Sequence, residues 1–171
     1  MRSLRELYRI GKGPSSSHTI GPERACRLFL SENPDADGFR AVLYGSLAKT
    51  GIGHGTDRVI RSVLKGAEIV CDTQKEDLPH PNTMDLIAFR GGRQTAFMRI
   101  YSVGGGAIRI EGRPEEEGKE VYPLGSFSEI RAYCEEHSLR LSDYVFETEG
   151  EEIRTYLAEV WQAMKQAVAD G

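Results

Sequence analysis

The sequence predicts an α+β domain in which a sheet of about five strands has helices packed on it. Five short segments of strand-like composition occur between residues 40 and 111, several of them bounded by Gly or Pro. Helical apolar patterns lie between and after these segments. The length of 171 residues suits one domain. The predicted strands are 40–44, 67–72, 85–89, 94–101 and 107–111.

Glycines predict how the later strands connect. Gly91-Gly92 is typical of a hairpin between the third and fourth strands. The run 104–106 separates the fourth strand from the fifth. Residues 114–119, with three consecutive glutamates, are predicted to form a solvated loop.

The first two helices follow from proline and glycine positions. A helix over about 22–30 carries Pro22, which fits only in a first turn, so this helix must begin within or just after residues 15–19. A second helix should follow residues 55–57 and stop at Gly66. Its apolar residues are Val59, Ile60, Val63 and Leu64.

Two further helices are predicted near the C-terminus. Ser126 and Glu129 form a capping-box pattern ahead of the first of them. The second has one apolar stripe, which packs either on the sheet of this domain or on a partner. We therefore predict a domain over 1–150 and an amphipathic helix over 151–171. The stripe contains Ile153, Tyr156, Leu157, Val160, Trp161, Met164 and Val168.

Composition excludes several function classes. Hydrophobic residues make up 39% and charged residues 28% of the chain, as in ordinary globular proteins. A net charge of −4 with scattered Lys and Arg argues against nucleic-acid binding. No apolar run reaches the roughly 20 residues of a membrane span and no signal-peptide core is present, so a cytoplasmic protein is predicted. Cys26, Cys71 and Cys134 have neither disulfide nor metal-ligand spacing.

A serine-rich segment is the first candidate site. Ser15, Ser16 and Ser17 stand at a predicted helix start, where hydroxyl groups and free backbone N–H groups together can bind a carboxylate. A helix cap needs only one of these hydroxyls. Three serines followed by His18 and Thr19 therefore favour an anion-binding function over a cap alone.

The second candidate segment, 45–57, follows a predicted strand. Gly53 and Gly55 leave the His54 imidazole uncrowded and let a ligand approach the backbone. Histidine can accept a proton near neutral pH, so His54 is a candidate general base. The glycines could instead serve only a strand-to-helix turn capped by Thr56 or Asp57.

Two more segments could contribute ligand contacts. His80 lies between two prolines that restrict its backbone, and Asn82 follows it. Either a site or a rigid loop would explain this pattern. Gly104, Gly105 and Gly106 could form a backbone binding surface or a bulged turn.

Other known patterns are missing from the sequence. It contains no dinucleotide-binding G-x-G-x-x-G after a strand, no Walker motif and no G-x-S-x-G elbow. The sequence spacing of His18, His54 and His80 does not indicate a metal site.

Taken together and in this order, the segments 13–19, 45–57, 80–83 and 102–106 resemble the beta domain or beta subunit of iron–sulfur-dependent L-serine dehydratases. The resemblance covers essentially the whole chain, including Tyr156–Met164, which is similar to a helix that links the beta and alpha domains. It implies conversion of L-serine to pyruvate and ammonia on a four-iron four-sulfur cluster held by an alpha subunit or domain. It also implies a mixed sheet like that of the allosteric substrate-binding domain of some phosphoglycerate dehydrogenases.

The resemblance implies a site made of two catalytic histidines, His54 and His18, and a set of substrate contacts, with no metal ligand in this chain. His54 would be the leading base, although either histidine could take the proton. A chain without the alpha part should be inactive by itself, and its assembly, for example as a homodimer, stays open. The substrate contacts would be Ser15, Ser16, Ser17, Thr19, Lys49, Gly53, Gly55, Thr56, Asp57, His80, Asn82, Gly104, Gly105 and Gly106.

One departure from the family pattern and two rival functions remain. Members of the family often carry Lys or Arg where this chain has Ile52, a cation that Lys49 could replace. The chain could instead be a non-catalytic module that senses a small anionic amino acid or hydroxy acid. It could also be a structural subunit whose glycines are only turns.

Overall fold

The computed structural model describes residues 1–11, 15–114 and 120–171. Gly13 and Pro14 of the serine-rich motif and residues 115–119 of the predicted loop lie outside the described residues. The chain forms two compact units. The sheet unit is Gly11–Glu115, and the helical unit combines Met1–Ile10 with Glu116–Gly171. In chain order the helices are α1 (Leu4–Leu7), α2 (Ile20–Glu32), α3 (Gly45–His54), α4 (Thr56–Val63), α5 (Phe127–Glu136), α6 (Leu141–Glu149) and α7 (Glu152–Asp170).

The α+β fold with a five-stranded mixed sheet is confirmed. The strand order is β2-β1-β3-β4-β5; β1 and β2 are parallel, and the remaining neighbours are antiparallel. The predicted glycine hairpin joins β3 to β4, and Gly105-Gly106 forms the two-residue turn between β4 and β5. The strands are β1 (Gly38–Tyr44), β2 (Glu68–Asp72), β3 (Thr83–Arg90), β4 (Arg93–Gly104) and β5 (Ala107–Ile110).

One face of the sheet carries the hydrophobic core of the sheet unit. The core side chains occupy every second position of the strands, as in Ala41 and Leu43 of β1 and in Met84, Leu86 and Ala88 of β3, as expected for one face of a pleated sheet. Leu43 and Leu86 are fully buried there and cluster with Phe29 of α2, Leu47 of α3 and Ile60 of α4. Thus α2, α3 and α4 are held by one apolar core, which fixes where their ends lie.

A charged group, the Asp85 cluster, is made by Tyr44, Asp85 and Arg99, which alternate with the core positions along their strands. Asp85 and Arg99 face each other across β3 and β4. The Arg99 guanidinium donates from Nε and Nη2 to the two carboxylate oxygens at 2.7 and 2.8 Å, and the Tyr44 hydroxyl donates to Oδ2 at 3.0 Å. The hydrogen bonds with Asp85 raise the pKa of Arg99, so its guanidinium stays charged.

The helical unit has its own small core of Tyr122, Ile130, Cys134 and Tyr144. The predicted capping box at Ser126 is confirmed at the start of α5. Glu149 at the end of α6 accepts hydrogen bonds from Ser3 Oγ, the Leu4 N–H and the Tyr122 hydroxyl. Burial alone would raise the pKa of Glu149, but these hydrogen bonds hold it below its usual value.

The predicted C-terminal helix is confirmed as α7, but its apolar stripe is only partly covered. Ile153 and Val160 are buried, whereas Trp161, Met164 and Val168 are exposed. No helix of the described residues is both long and apolar enough to cross a membrane.

Candidate functional site

The serine-rich segment forms a tight turn directly before α2. The carbonyl oxygen of Ser15 accepts from the backbone N–H groups of His18 and Thr19 and from Thr19 Oγ1 at 2.7 Å. The prediction that α2 begins within or just after residues 15–19 is therefore confirmed, since its first residue is Ile20. The turn brings three serine side chains and an imidazole to one helix start.

His18 lies at the centre of a set of hydroxyl groups. Its Nδ1 is 3.2 Å from Ser15 Oγ and 3.0 Å from Ser17 Oγ. Its Nε2 is 3.2 Å from Ser46 Oγ and 3.1 Å from Thr50 Oγ1. We call these five residues the His18 cluster.

Electrostatics keep the His18 ring neutral. The side chain is buried, and burial disfavours the charged imidazolium. The nearby His54 disfavours it further, and together these causes lower the pKa of His18. His18 therefore serves as a neutral hydrogen-bonding group near neutral pH.

Ser46 and Thr50 reach His18 because residues 45–54 form a helix. The sequence pattern predicted a glycine-rich connection here, but α3 begins directly after β1. Its first residue, Gly45, has φ +51°, and a Cβ atom there would lie 2.4 Å from the Pro81 carbonyl oxygen. The Ser46 N–H donates to that oxygen at 2.7 Å, which attaches the 80–83 segment to the start of α3.

His54 ends α3 beside His18. The two ring centroids are 4.7 Å apart with the planes tilted by 51°. His54 is partly exposed, and within the described residues no hydrogen bond engages its ring. Gly55 then reverses the chain in a left-handed conformation, and Thr56 Oγ1 donates to the His18 carbonyl oxygen at 2.7 Å. Both histidines are thus held in one place by α3, α4 and the serine-rich turn.

The His80 segment is a hydrogen-bonded turn. The Asn82 N–H donates to His80 Nδ1 at 3.0 Å, and Thr83 Oγ1 donates to the His80 carbonyl oxygen at 2.6 Å. Asn82 Nδ2 donates to the Ser102 carbonyl oxygen at 3.3 Å, which links the turn to the end of β4. His80 and Asn82 are therefore ordered by the same segment that attaches to α3.

Ser102 and Gly21 approach each other at the start of α2. A Cβ atom on Gly21 would lie 2.1 Å from Ser102 Oγ, so a larger residue at position 21 would require this hydroxyl to move. Ser102 is buried, and within the part of the chain that the structure describes its Oγ has no hydrogen-bond partner. Gly104–Gly106 follow as a bulge and turn, all at positive φ.

The remaining predicted contacts lie along α3 and α4. Lys49 and Gly53 are exposed on α3, and so is Ile52. Asp57 lies in the first turn of α4, and its buried Oδ1 has no hydrogen-bond partner among the residues described. Among the described residues, no hydrogen bond or ion pair joins Lys49 to the His18 cluster, so the role of Lys49 stays a prediction.

Three residues of this region were missed by the sequence reasoning: Ser46, Thr50 and Ser102. Ser46 and Thr50 are four residues apart, which places both on one face of a helix. That spacing could have revealed them, had 45–54 been interpreted as a helix. Ser102 has no comparable sequence pattern.

The described residues do not fit a metal or cluster site. Over residues 1–11, 15–114 and 120–171, no group of three or more His, Cys, Asp or Glu side chains could hold a metal ion. Burial raises the pKa of Cys26 to about 12, which disfavours the thiolate that a metal requires. Cys134 is buried and Cys71 is exposed, and none of the three is in a disulfide.

Comparison with known proteins gives one family. A family model described as serine dehydratase beta chain matches residues 3–69. That match includes α2, α3, α4 and the serine-rich turn, and therefore all five residues of the His18 cluster.

Curated relatives match the chain over nearly its whole length. L-serine dehydratase 1 of Escherichia coli is 30% identical over 223 residues, covering 100% of this chain and 49% of the relative. The L-serine dehydratase of Streptomyces coelicolor is 29% identical over 224 residues, covering 99% and 49%. That of Haemophilus influenzae is 28% identical, covering 100% and 49%. The chain thus spans about half the length of these relatives.

Proposed function

We propose that this chain is the beta component of an L-serine dehydratase, since the serine dehydratase beta chain model matches residues 3–69 and L-serine dehydratases match nearly the whole chain. It would convert L-serine to pyruvate and ammonia together with an alpha part that carries an iron–sulfur cluster. The observation that carries the proposal is the proximity of His54, whose ring has no hydrogen bond among the described residues, to the buried His18 ring and its hydroxyl partners. A cytoplasmic location and a homodimeric assembly stay predictions.

His54 is the better of the two histidines for removing the α-proton of serine. Both nitrogens of His18 already face hydroxyl groups, and its lowered pKa makes it a weak proton acceptor. The His54 ring is partly exposed and has no such engagement among the described residues. A base must reach the proton that it abstracts, so availability favours His54.

The polar groups around the histidines would hold the zwitterionic substrate. The positive end of the α2 dipole would favour the carboxylate of the substrate. The Oδ1 atom of Asp57, without a partner in the described structure, could accept from the ammonium group. The predicted contacts Gly55, Thr56, His80, Asn82 and Gly104–Gly106 belong to the same sheet unit.

The cluster belongs elsewhere in this proposal. Since the described residues of this chain provide no fitting ligand set, its cysteine ligands would come from the alpha part. The residues of this chain would bind the substrate, orient it and take its α-proton.

Reconstitution tests the proposal. Purified chain mixed with an alpha subunit that holds an intact cluster should produce pyruvate from L-serine, and neither component alone should do so. His54→Gln should lower kcat by about 10²- to 10⁴-fold, the usual contribution of a positioned acid or base. His137→Gln is the matched control, because His137 lies on the exposed end of α5 in the other unit. Full activity of the His54 variant would show that His54 is not the base.

Titration separates this proposal from the sensing module. A composite site should bind L-serine weakly in the isolated chain, because part of its contacts come from the alpha part. Calorimetry showing tight binding to the chain alone, together with no pyruvate in the reconstituted mixture, would favour the sensor.

A further inference from the structure

The Thr50 hydroxyl makes two contacts but has one proton. Thr50 Oγ1 donates to the Ser46 carbonyl oxygen at 2.9 Å, the common bond of a helical threonine to the residue four positions earlier. A carbonyl oxygen can only accept, so the proton of Thr50 is used there. The same Oγ1 lies 3.1 Å from His18 Nε2 and offers that nitrogen a lone pair.

A lone pair facing Nε2 requires the ring proton on that nitrogen. In a neutral imidazole one nitrogen donates and the other accepts. Ser46 Oγ, 3.2 Å from Nε2, can accept from the same ring N–H, and a hydrogen bond to the Ser46 backbone opposes the lowering of the His18 pKa. Nε2 is therefore the donor and Nδ1 the acceptor.

The opposite edge of the ring supplies matching donors. Ser17 Oγ and Ser15 Oγ lie 3.0 and 3.2 Å from Nδ1 and 3.3 Å from each other. One of these hydroxyls can donate to Nδ1 while the other donates to its neighbour. The result is one directional chain of hydrogen bonds from the serine-rich turn through His18 to α3.

We propose that Thr50 is a positioning residue that holds His18 as its Nε2–H tautomer and so presents Nδ1 as an acceptor to the serine-rich turn. The meaning for catalysis rests on the proposed function. The hydroxyl that gives its proton to Nδ1 offers a ligand only lone pairs. Lone pairs suit an ammonium group and not a carboxylate, so this edge of the site would select amino acids over hydroxy acids.

Ring ¹⁵N spectra of the 171-residue chain test the tautomer directly. At about pH 8, above the usual histidine pKa of about 6.5 and further above the lowered pKa of His18, the His18 ring is neutral and its two nitrogens can be compared. The His18 ring should show protonated Nε2 and unprotonated Nδ1. Thr50→Val should lower the ratio of Nε2–H to Nδ1–H tautomer about fivefold, the equivalent of one neutral hydrogen bond. Thr50→Ser, which keeps the hydroxyl, should restore the wild-type ratio.

Thr148→Val is the matched control. Thr148 Oγ1 makes the same kind of helix bond, to the Tyr144 carbonyl oxygen at 2.9 Å, in the other unit and without a histidine partner. The Thr148→Val substitution should leave the ¹⁵N spectrum of the His18 ring unchanged. An Nδ1–H ring in the wild type, an unchanged ratio in Thr50→Val, or an equal shift in Thr148→Val would each overturn the proposal. The ¹⁵N spectra need no alpha part. The tautomer proposal can therefore fail while reconstitution gives pyruvate, and reconstitution can fail while the tautomer proposal holds.

Discussion

Two polar clusters in the sheet unit, the Asp85 cluster and the His18 cluster, differ in charge and in how their polar groups are paired. In the Asp85 cluster, both carboxylate oxygens are occupied by Arg99 and one also accepts from Tyr44. The His18 cluster has no ion pair and consists of an imidazole among four hydroxyl groups. In the same sheet unit, Asp57 Oδ1 and Ser102 Oγ are buried without partners in the described residues.

This difference separates a structural network from a candidate binding site. Closed pairs of opposite charge hold strands in register and have nothing left to offer a ligand. Buried polar atoms without partners carry a desolvation cost that a bound ligand can recover.

Breaking the Asp85 cluster should cost the most stability. Arg99→Met keeps the packing of the side-chain stem but leaves the Asp85 carboxylate buried and unpaired. Loss of one partner of a buried pair should lower the free energy of unfolding by about 3 kcal/mol. Thermal unfolding should show a Tm lower by about 6–12 °C.

Arg93→Met is the control for that substitution. Arg93 lies on the same strand but is exposed at its start, so the same change should alter stability by less than about 0.5 kcal/mol. If both variants unfold at the same temperature as the wild type, the Asp85 cluster is not a structural element.

Displacing α3, which carries two residues of the His18 cluster, should lower the stability of the protein by an intermediate amount. Gly45→Ala places a Cβ against the Pro81 carbonyl oxygen at a φ that L-residues avoid, so stability should fall by at least about 2 kcal/mol. Gly53→Ala, in the same helix with open space around it, should raise stability by about 0.5–1 kcal/mol. Urea unfolding measures both, and equal signs for the two variants would contradict this account of α3.

The smallest effect should be a pH dependence from His18. Its pKa is lowered in the folded state, first by burial and then by His54, so the unfolded chain binds the proton more tightly. This contribution to stability is complete above the unfolded value of about 6.5 and is lost as the pH falls below it. Urea unfolding at about pH 7.5 and 5.5 should show a smaller acid loss for His18→Asn than for the wild type. His137→Asn, at an exposed histidine, should not reduce the loss; equal losses in all three proteins would remove His18 as the cause.

Most of the fold could be predicted because apolar periodicity and turn residues act locally. The five strands, the start of α2 after residues 15–19 and the capping box at Ser126 all follow from short-range patterns. α3 was missed because Gly45, Gly51 and Gly53 are poor helix formers, and tertiary contacts outweigh that propensity. Leu47 in the core and the bond from Ser46 to Pro81 supply those contacts.

The site was predicted as four segments, but its central geometry was not. Sequence order identifies His18 and His54 as candidates and cannot state that their rings are 4.7 Å apart. Ser46 and Thr50 acquire a role only when α3 is a helix that faces the serine-rich turn. Partners of this kind depend on packing between elements, which residue types alone do not encode.

The close contact between Ser102 and Gly21 restricts how this region can change during evolution. A methyl group at position 21 and a hydroxyl at position 102 would occupy the same volume, with the Cβ position only 2.1 Å from Oγ. Alanine at 21 should therefore require that the Ser102 hydroxyl rotates away or that a residue without a hydroxyl, such as alanine or glycine, stands at 102. The two positions should co-vary among descendants of this sequence, which would tie the first turn of α2 to the end of β4 as one inherited unit.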